Sequence, residues 1–315
     1  MNRAFVFPGQ GSQTIGMGRA LAEAFAPARD VFEEVDEALK QKLSRLMWEG
    51  PESDLTLTEN AQPAIMAASY AIIAVLTREC GFDIARHARL VAGHSLGEYT
   101  ALAAAGAFTL SDAARLLKTR GQAMQAAVPV GEGAMSALLG AEIELAEEAA
   151  KEAAAETNGI CVVANDNAPG QVVISGTKAA VERAGEIAKA KGAKRAMMLN
   201  VSAPFHSPLM QPAADKMREA LEAVTIRPPA VPLIANVTAA QTSEPETIRR
   251  LLIEQVTGRV RWRQSVLGLR AAGVETTVEA GGGKVLTGMI KRIDKELQTV
   301  TLDTPADIEV FAKTL

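Results

Sequence analysis

The pentapeptide Gly93-His94-Ser95-Leu96-Gly97 constrains this 315-residue chain more than any other stretch. It follows the apolar run Leu90-Val91-Ala92 and precedes the helix-forming residues 98–105. That order predicts a strand turning sharply into a helix. Glycine on both sides of the turn lets backbone segments approach where a Cβ would clash. A serine at the tip sits at a helix N-terminus, where the dipole favours a developing oxyanion and the Leu96 N–H is placed to donate.

The rest of the chain alternates short β-like runs with helical patterns, which predicts an α/β fold with a parallel sheet. Residues 4–7 read as a strand cut by Pro8 and a glycine-rich loop, and 89–92 as a second strand. Residues 111–127 read as a helix with Ser111 as N-cap and Asp112 in its first turn. The apolar stretch 61–76 contains Gln62, Pro63, Ser69 and Tyr70. It falls short of the roughly 20 apolar residues that span a bilayer, and is expected to be a buried helix. Between 130 and 201 the rhythm changes. Strand 134–139, helix 142–156, strands 161–164 and 172–175, helix 178–191 and strand 195–199 follow in order, with a turn-rich link from Asn165 to Gly170. This β-α-β-β-α-β order is the split arrangement of ferredoxin-like domains. We therefore expect a small subdomain at 129–200, inserted into a core made of 1–128 and 201–315.

At 48% apolar and 22% charged, the composition is that of a soluble globular protein, and with 4% aromatics the packing falls to Ala, Leu and Val. A net charge of −4 without a long basic run argues against non-specific nucleic-acid binding. Cys80 and Cys161 make neither a metal-ligand nor a disulfide pattern and are expected as reduced thiols in a cytoplasmic protein. The apolar stretch at the N-terminus is too short for a signal peptide.

A serine nucleophile needs a base, and there are three histidines. His87 lies in a charged connecting stretch, and the position of His94 in the turn points its side chain away from Ser95. His206 remains, just before Ser207 and Pro208, which read as N-cap and N1 of a helix whose dipole would favour neutral imidazole. A loop histidine with a structural hydrogen bond is the alternative. Asp166 is the one tempting acidic partner, but its Asn-Asp-Asn setting is ordinary turn chemistry and no acidic third member is assigned. On helix 111–127, Ala113, Leu116, Leu117, Met124 and Ala127 form an apolar stripe, and Arg120 falls inside it. A guanidinium there is either paired internally or holds a substrate carboxylate, and the pattern does not choose.

Taken together, these features resemble the malonyl-CoA:acyl carrier protein transacylase family of type II fatty-acid synthesis. The likeness runs from Phe7-Pro8-Gly9-Gln10-Gly11-Ser12-Gln13 through Gln62-Pro63, Gly93 to Glu98, Arg120-Gly121 and Asn165 to Val173. It continues through Pro204-Phe205-His206-Ser207 and Gln255 to Gly283-Lys284-Val285-Leu286-Thr287-Gly288. The resemblance implies an α/β-hydrolase-like core with a ferredoxin-like insert. It implies Ser95 as nucleophile, His206 as base, and the Gln255 backbone carbonyl as what orients His206. Gln10 and the Leu96 N–H would form the oxyanion hole, and Arg120 would hold the malonyl carboxylate. Gln62, Asn165 and Asn167 match pocket positions, and bulky Phe205 would leave no room for an α-methyl.

Malonyl-CoA and acyl carrier protein are the implied partners, without nucleic acid or membrane insertion. Neither a resident cofactor nor a metal is expected, because phosphopantetheine arrives on the carrier. An acidic carrier calls for a basic rim, with Lys189, Lys191, Lys194, Arg195, Lys284, Lys291 and Arg292 as candidates. The chain departs from the family at Ala280-Gly281-Gly282-Gly283, where Gly-Pro-Gly is frequent, which leaves the stiffness of that loop open.

Rival readings fare worse. Gly9-Gln10-Gly11 lacks the third glycine of a dinucleotide loop, and Gly281-Gly282-Gly283-Lys284 is followed by Val285 where a P-loop needs Ser or Thr. A hydrolase would share Ser95 and His206 but gain nothing from an arginine in the pocket. A non-catalytic carrier-binding module would not need an intact serine turn and base.

Overall fold

Residues 4–7 and 90–92 are apolar at every position, and strands apolar on both faces belong inside a covered sheet. The computed structural model, which describes residues 2–201 and 203–315, places them there. Met1, at the head of the N-terminal run, and Ser202, in the second core segment, lie outside the described residues. The strands are β1 (Arg3–Phe7), β2 (Leu90–Gly93), β3 (Gly133–Leu139), β4 (Cys161–Ala168), β5 (Gln171–Thr177), β6 (Arg195–Met198), β7 (Leu233–Ile234), β8 (Gln241–Thr242), β9 (Thr276–Ala280) and β10 (Gln298–Leu302).

One sheet has the order β10-β9-β1-β2-β7-β8, parallel throughout except for the β7–β8 pair. Phe7 pairs with Gly93, so the glycine loop after β1 and the serine turn after β2 leave the sheet side by side. A Cβ on Gly97 would overlap the carbonyl of Phe7, and one on Gly93 the carbonyl of Gly97. Glycine at both positions is therefore a steric requirement.

Helix Thr58–Glu79 lies in the core against helix Leu110–Ala126. Its 22 residues make it longer than the apolar run had suggested, and it is long and apolar enough to cross a membrane by composition alone. In the structure 83% of its most apolar window is buried within the protein, as expected of a core helix. The second helix is capped by Thr109, not Ser111: Thr109 Oγ1 accepts from Asp112 N at 3.1 Å. Ser111 sits inside the helix and donates to Glu34 Oε1 at 2.7 Å.

The second sheet, β4-β5-β3-β6, is antiparallel and carries helices Ile143–Thr157 and Lys178–Ala190. Its own core is alanine-rich, with Ala146, Ala149, Ala150 and Ala153 in one cluster with Ala180 and Ala184. The turn expected over 165–170 is shorter than that. β4 runs on through Asn165, Asp166 and Asn167, with irregularities in its pairing to β5, and only Pro169-Gly170 turn. Tertiary pairing overrides the turn propensity here, because Asn165 also bridges to Val260 of the other unit. Asp166, 1% exposed, pairs with Arg263 Nε at 3.1 Å and not with His206.

Candidate active site

Ser95 adopts φ 53°, the left-handed region that costs a non-glycine residue about 1–3 kcal/mol unless its surroundings hold it. Asn236, just beyond β7, provides the hold. Its Oδ1 accepts from Ser95 N at 2.8 Å and its Nδ2 donates to Gly93 O at 2.7 Å, clamping both sides of the turn. Ser95 Oγ then lies 2.8 Å from His206 Nε2.

His206 is 4% exposed and its φ of 55° is also left-handed. Its Nδ1 faces two carbonyls, Gln255 O at 2.8 Å and Gly258 O at 3.1 Å. Carbonyls only accept, so the proton is on Nδ1 and Nε2 is free to take one from Ser95. Burial, and after it the Arg120 cation, push the imidazole pKa down to about 3. The expected helix after His206 begins as a three-residue 3₁₀ turn, Pro208–Met210, and Ser207 Oγ donates back to Pro204 O at 2.7 Å. Neutral imidazole is thus favoured by desolvation and a neighbouring cation, where the sequence had pointed to a helix dipole.

Arg120 is 1% exposed. Nη1 donates to Gln62 Oε1 at 2.7 Å, and Nη2 donates to Gln255 Oε1 at 2.7 Å and Ser95 Oγ at 3.0 Å. Among the described residues it forms no ion pair, so the internal salt bridge left open by the sequence is absent from them. A guanidinium has five N–H donors, and these contacts leave capacity for a carboxylate.

Glu98, 1% exposed, lies in the first turn of helix Gly97–Ala104. Its Oε2 accepts from Gln255 Nε2 at 2.6 Å. Burial raises its pKa to about 7, against the pull of the Gln255 and Asn236 hydrogen bonds and the Arg120 charge.

Ser95, His206 and Arg120 open onto a cavity of about 340 Å³ whose walls include Gln10, Gln62, Leu96, Asn165, Asn167 and Phe205. Every expected pocket residue is therefore brought to one place. Gln10 Oε1 accepts from Thr58 Oγ1 at 3.0 Å. His94 turns to Asn167, with Nε2 2.8 Å from Oδ1, and its hydrogen bond is not to Ser95. His87 lies apart, half-buried and stacked on Phe82. The Gly281–Gly283 loop is anchored despite lacking proline. The Glu279 carboxylate accepts from Leu286 N at 3.0 Å and Thr287 N at 2.7 Å, and Gly281 N donates to Leu302 O at 3.0 Å.

Of the basic candidates, Lys191 is taken by Glu148 and Glu152 at 2.7 and 2.6 Å, and Arg292 donates to Gln171 Oε1 and Pro169 O. Lys189, Lys194, Arg195, Lys284 and Lys291 are exposed.

Sequence reasoning assigned no role to Glu98, Asn236 or Gly258. Glu98 was visible as a charge in an otherwise apolar helix. Asn236 carried one faint signal, an amide directly after the apolar Leu233-Ile234-Ala235. Gly258 acts through a backbone carbonyl, which leaves no mark in the sequence.

Residues 4–304 match the acyl transferase domain family. The malonyl CoA-acyl carrier protein transacylase of Bacillus subtilis strain 168 is 47% identical, over 99% of this chain and 96% of the relative. Among solved structures, the acyl-carrier-protein S-malonyltransferase of Bartonella henselae is 55% identical with a TM-score of 0.97, covering 100% of this chain and 99% of the other. A malonyl-transacylase solved in complex with its type II PKS acyl-carrier protein is 42% identical with a TM-score of 0.95, and each chain covers 100% of the other.

Proposed function

The chain belongs to the acyl transferase domain family, and within it we propose a malonyl-CoA:acyl carrier protein S-malonyltransferase that supplies fatty-acid chain elongation. Its partners are malonyl-CoA and the phosphopantetheine-bearing acyl carrier protein. The observation that carries this reading is the buried, carboxylate-free Arg120 guanidinium 3.0 Å from the Ser95 hydroxyl. An acyl group with a free carboxylate, ester-linked to Ser95, complements that arrangement.

In the first half-reaction His206 Nε2 takes the Ser95 proton as Oγ attacks the malonyl thioester carbonyl. The carbonyl electron pair becomes an oxyanion, held in this reading by the Leu96 N–H and the neighbourhood of Gln10. Collapse breaks the C–S bond, and coenzyme A leaves as the thiol with the proton from His206. The carrier thiol then gives its proton to His206, attacks the malonyl ester, and Ser95 Oγ recovers the proton as it departs. The kinetics are ping-pong. Arg120 opposes protonation of His206 while its charge is uncompensated. A malonyl carboxylate on Arg120 cancels that opposition, so the correct substrate eases its own proton transfer. Gln62 and Gln255 orient the guanidinium, Gln255 O orients His206, Asn165 and Asn167 line the pocket, and Phe205 limits branching at the α-carbon.

The finer architecture is part of the same proposal: an α/β-hydrolase-like core of 1–128 and 201–315, and a ferredoxin-like insert at 129–200. The parallel sheet with its serine turn and the order β4-β5-β3-β6 support it. We also place the enzyme in the cytoplasm and assign it neither resident cofactor nor metal. Intact-mass and peptide analysis after incubation with malonyl-CoA tests the function. A malonyl adduct on Ser95, discharged by holo acyl carrier protein, is expected. An adduct elsewhere, or one released only to water, overturns the reading.

A further inference from the structure

Gln255 carries two loads through two different groups. Its backbone carbonyl holds His206 Nδ1–H, and its side chain lies between Arg120 and Glu98. A carboxamide has a donor end and an acceptor end, and only the neighbours decide which way it points. Arg120 can only donate, and Glu98 Oε2, which already takes a contact from Asn236 N, accepts. With Nε2 toward Glu98 at 2.6 Å and Oε1 toward Arg120 at 2.7 Å, both contacts are satisfied. A flipped amide would set oxygen against carboxylate and NH₂ against guanidinium.

We propose that Glu98 is a positioning residue for recognition of the acyl carboxylate: by fixing the Gln255 amide it aims the Arg120 guanidinium at Ser95 without occupying it. A carboxylate in direct contact with Arg120 would neutralise it and block the substrate. One amide removed, Glu98 fixes the amide that aims the guanidinium and leaves the fork open. Glu98 also takes a weaker contact from Asn236 N at 3.4 Å, so one side chain underlies both the serine turn and the arginine. This deepens the malonyl-transfer reading and rests on it.

The test compares kcat and KM for malonyl-CoA and acetyl-CoA in wild type and Glu98→Gln, with a holo carrier protein as acceptor. The substitution removes the carboxyl acceptor and leaves the Gln255 amide held by Arg120 and by Ser95 O, the latter at 2.9 Å, so its aim on the guanidinium is loosened. The malonyl-to-acetyl ratio of kcat/KM is expected to fall at least about tenfold, the effect of one lost hydrogen bond to a charged group, mostly through malonyl KM. A merely structural Glu98 lowers both substrates together, and an unchanged ratio in folded protein overturns the proposal. If Glu98→Gln does not fold, Glu98→Asp takes its place. The shorter side chain keeps the carboxyl group but cannot span to Gln255 Nε2, and the same fall in ratio is expected. If malonyl transfer itself were the wrong reading, wild type would show no malonyl preference, which separates the two failures.

Discussion

Arg120 Nη2 donates to Ser95 Oγ over 3.0 Å, so the cation proposed to receive the substrate carboxylate touches the proposed nucleophile. Replacing Arg120 with Ala removes the charge-assisted fork that separates malonyl from acetyl, a contact of about 1.5–3 kcal/mol. It also removes a cation that depresses the basicity of His206. Malonyl transfer is expected to fall about 10- to 100-fold while acetyl transfer holds or rises. Lysine should rescue only partly, because a point charge does not reproduce the planar fork. An unchanged malonyl-to-acetyl rate ratio in folded R120A would show that the carboxylate is held elsewhere.

Ser95→Ala should abolish the covalent malonyl adduct with the fold intact. His206→Ala should slow both half-reactions by roughly 10²–10⁴-fold, the range for a lost general base. Rapid-quench measurement of each half-reaction separates them. A His206→Ala defect confined to one half would contradict a base shared by both.

Asn236→Ala leaves Ser95 N and Gly93 O without their clamp. Unpaired buried groups cost about 1–3 kcal/mol each, and the left-handed Ser95 loses its support. Transfer of malonyl and acetyl should fall together, and the melting temperature should drop. A selective loss of malonyl would place Asn236 with the carboxylate site instead of the serine turn.

Glu98 gives stability a definite pH dependence. Its folded pKa of about 7 lies above the ordinary 4.5, so between those values the native state holds a proton that the unfolded state has released. Its contribution is full below about pH 4.5 and is lost as pH rises through 7, amounting to about 3 kcal/mol in all. Glu98→Gln lacks this titration. Urea unfolding at pH 5 and pH 8 should show wild type losing stability relative to the variant on going to the higher pH. A pH-independent difference would mean that Glu98 is ionised throughout.

Lys284 and Lys291 stay exposed beside the cavity walls formed by Val285, Leu286 and Met289, whereas Lys191 is neutralised by two glutamates. Carrier-dependent turnover should therefore fall with ionic strength, and reversing both lysines to Glu should weaken that dependence more than reversing Lys191. Carrier-dependent rates indifferent to salt would count against any steering patch.

What the sequence determined by itself was local. The strand–turn–helix around Ser95 follows from steric exclusion at Gly93 and Gly97, the burial of Arg120 from helical period, and His206 from there being few histidines to choose among. The tertiary structure decided what depends on distant segments meeting. Ser95 is held by Asn236, 141 residues away, and Gln255 reaches Glu98 across 157. Neither approach has a periodicity that could announce it. The stretch from Asn165 to Asn167 looked like a turn because its residues favour one locally, but pairing with β5 and the bridge to Val260 made it strand. The partner of His206 was least legible of all for a chemical reason. It is a pair of backbone carbonyls, which every residue possesses, so only the path of the chain selects Gln255 and Gly258 for the task.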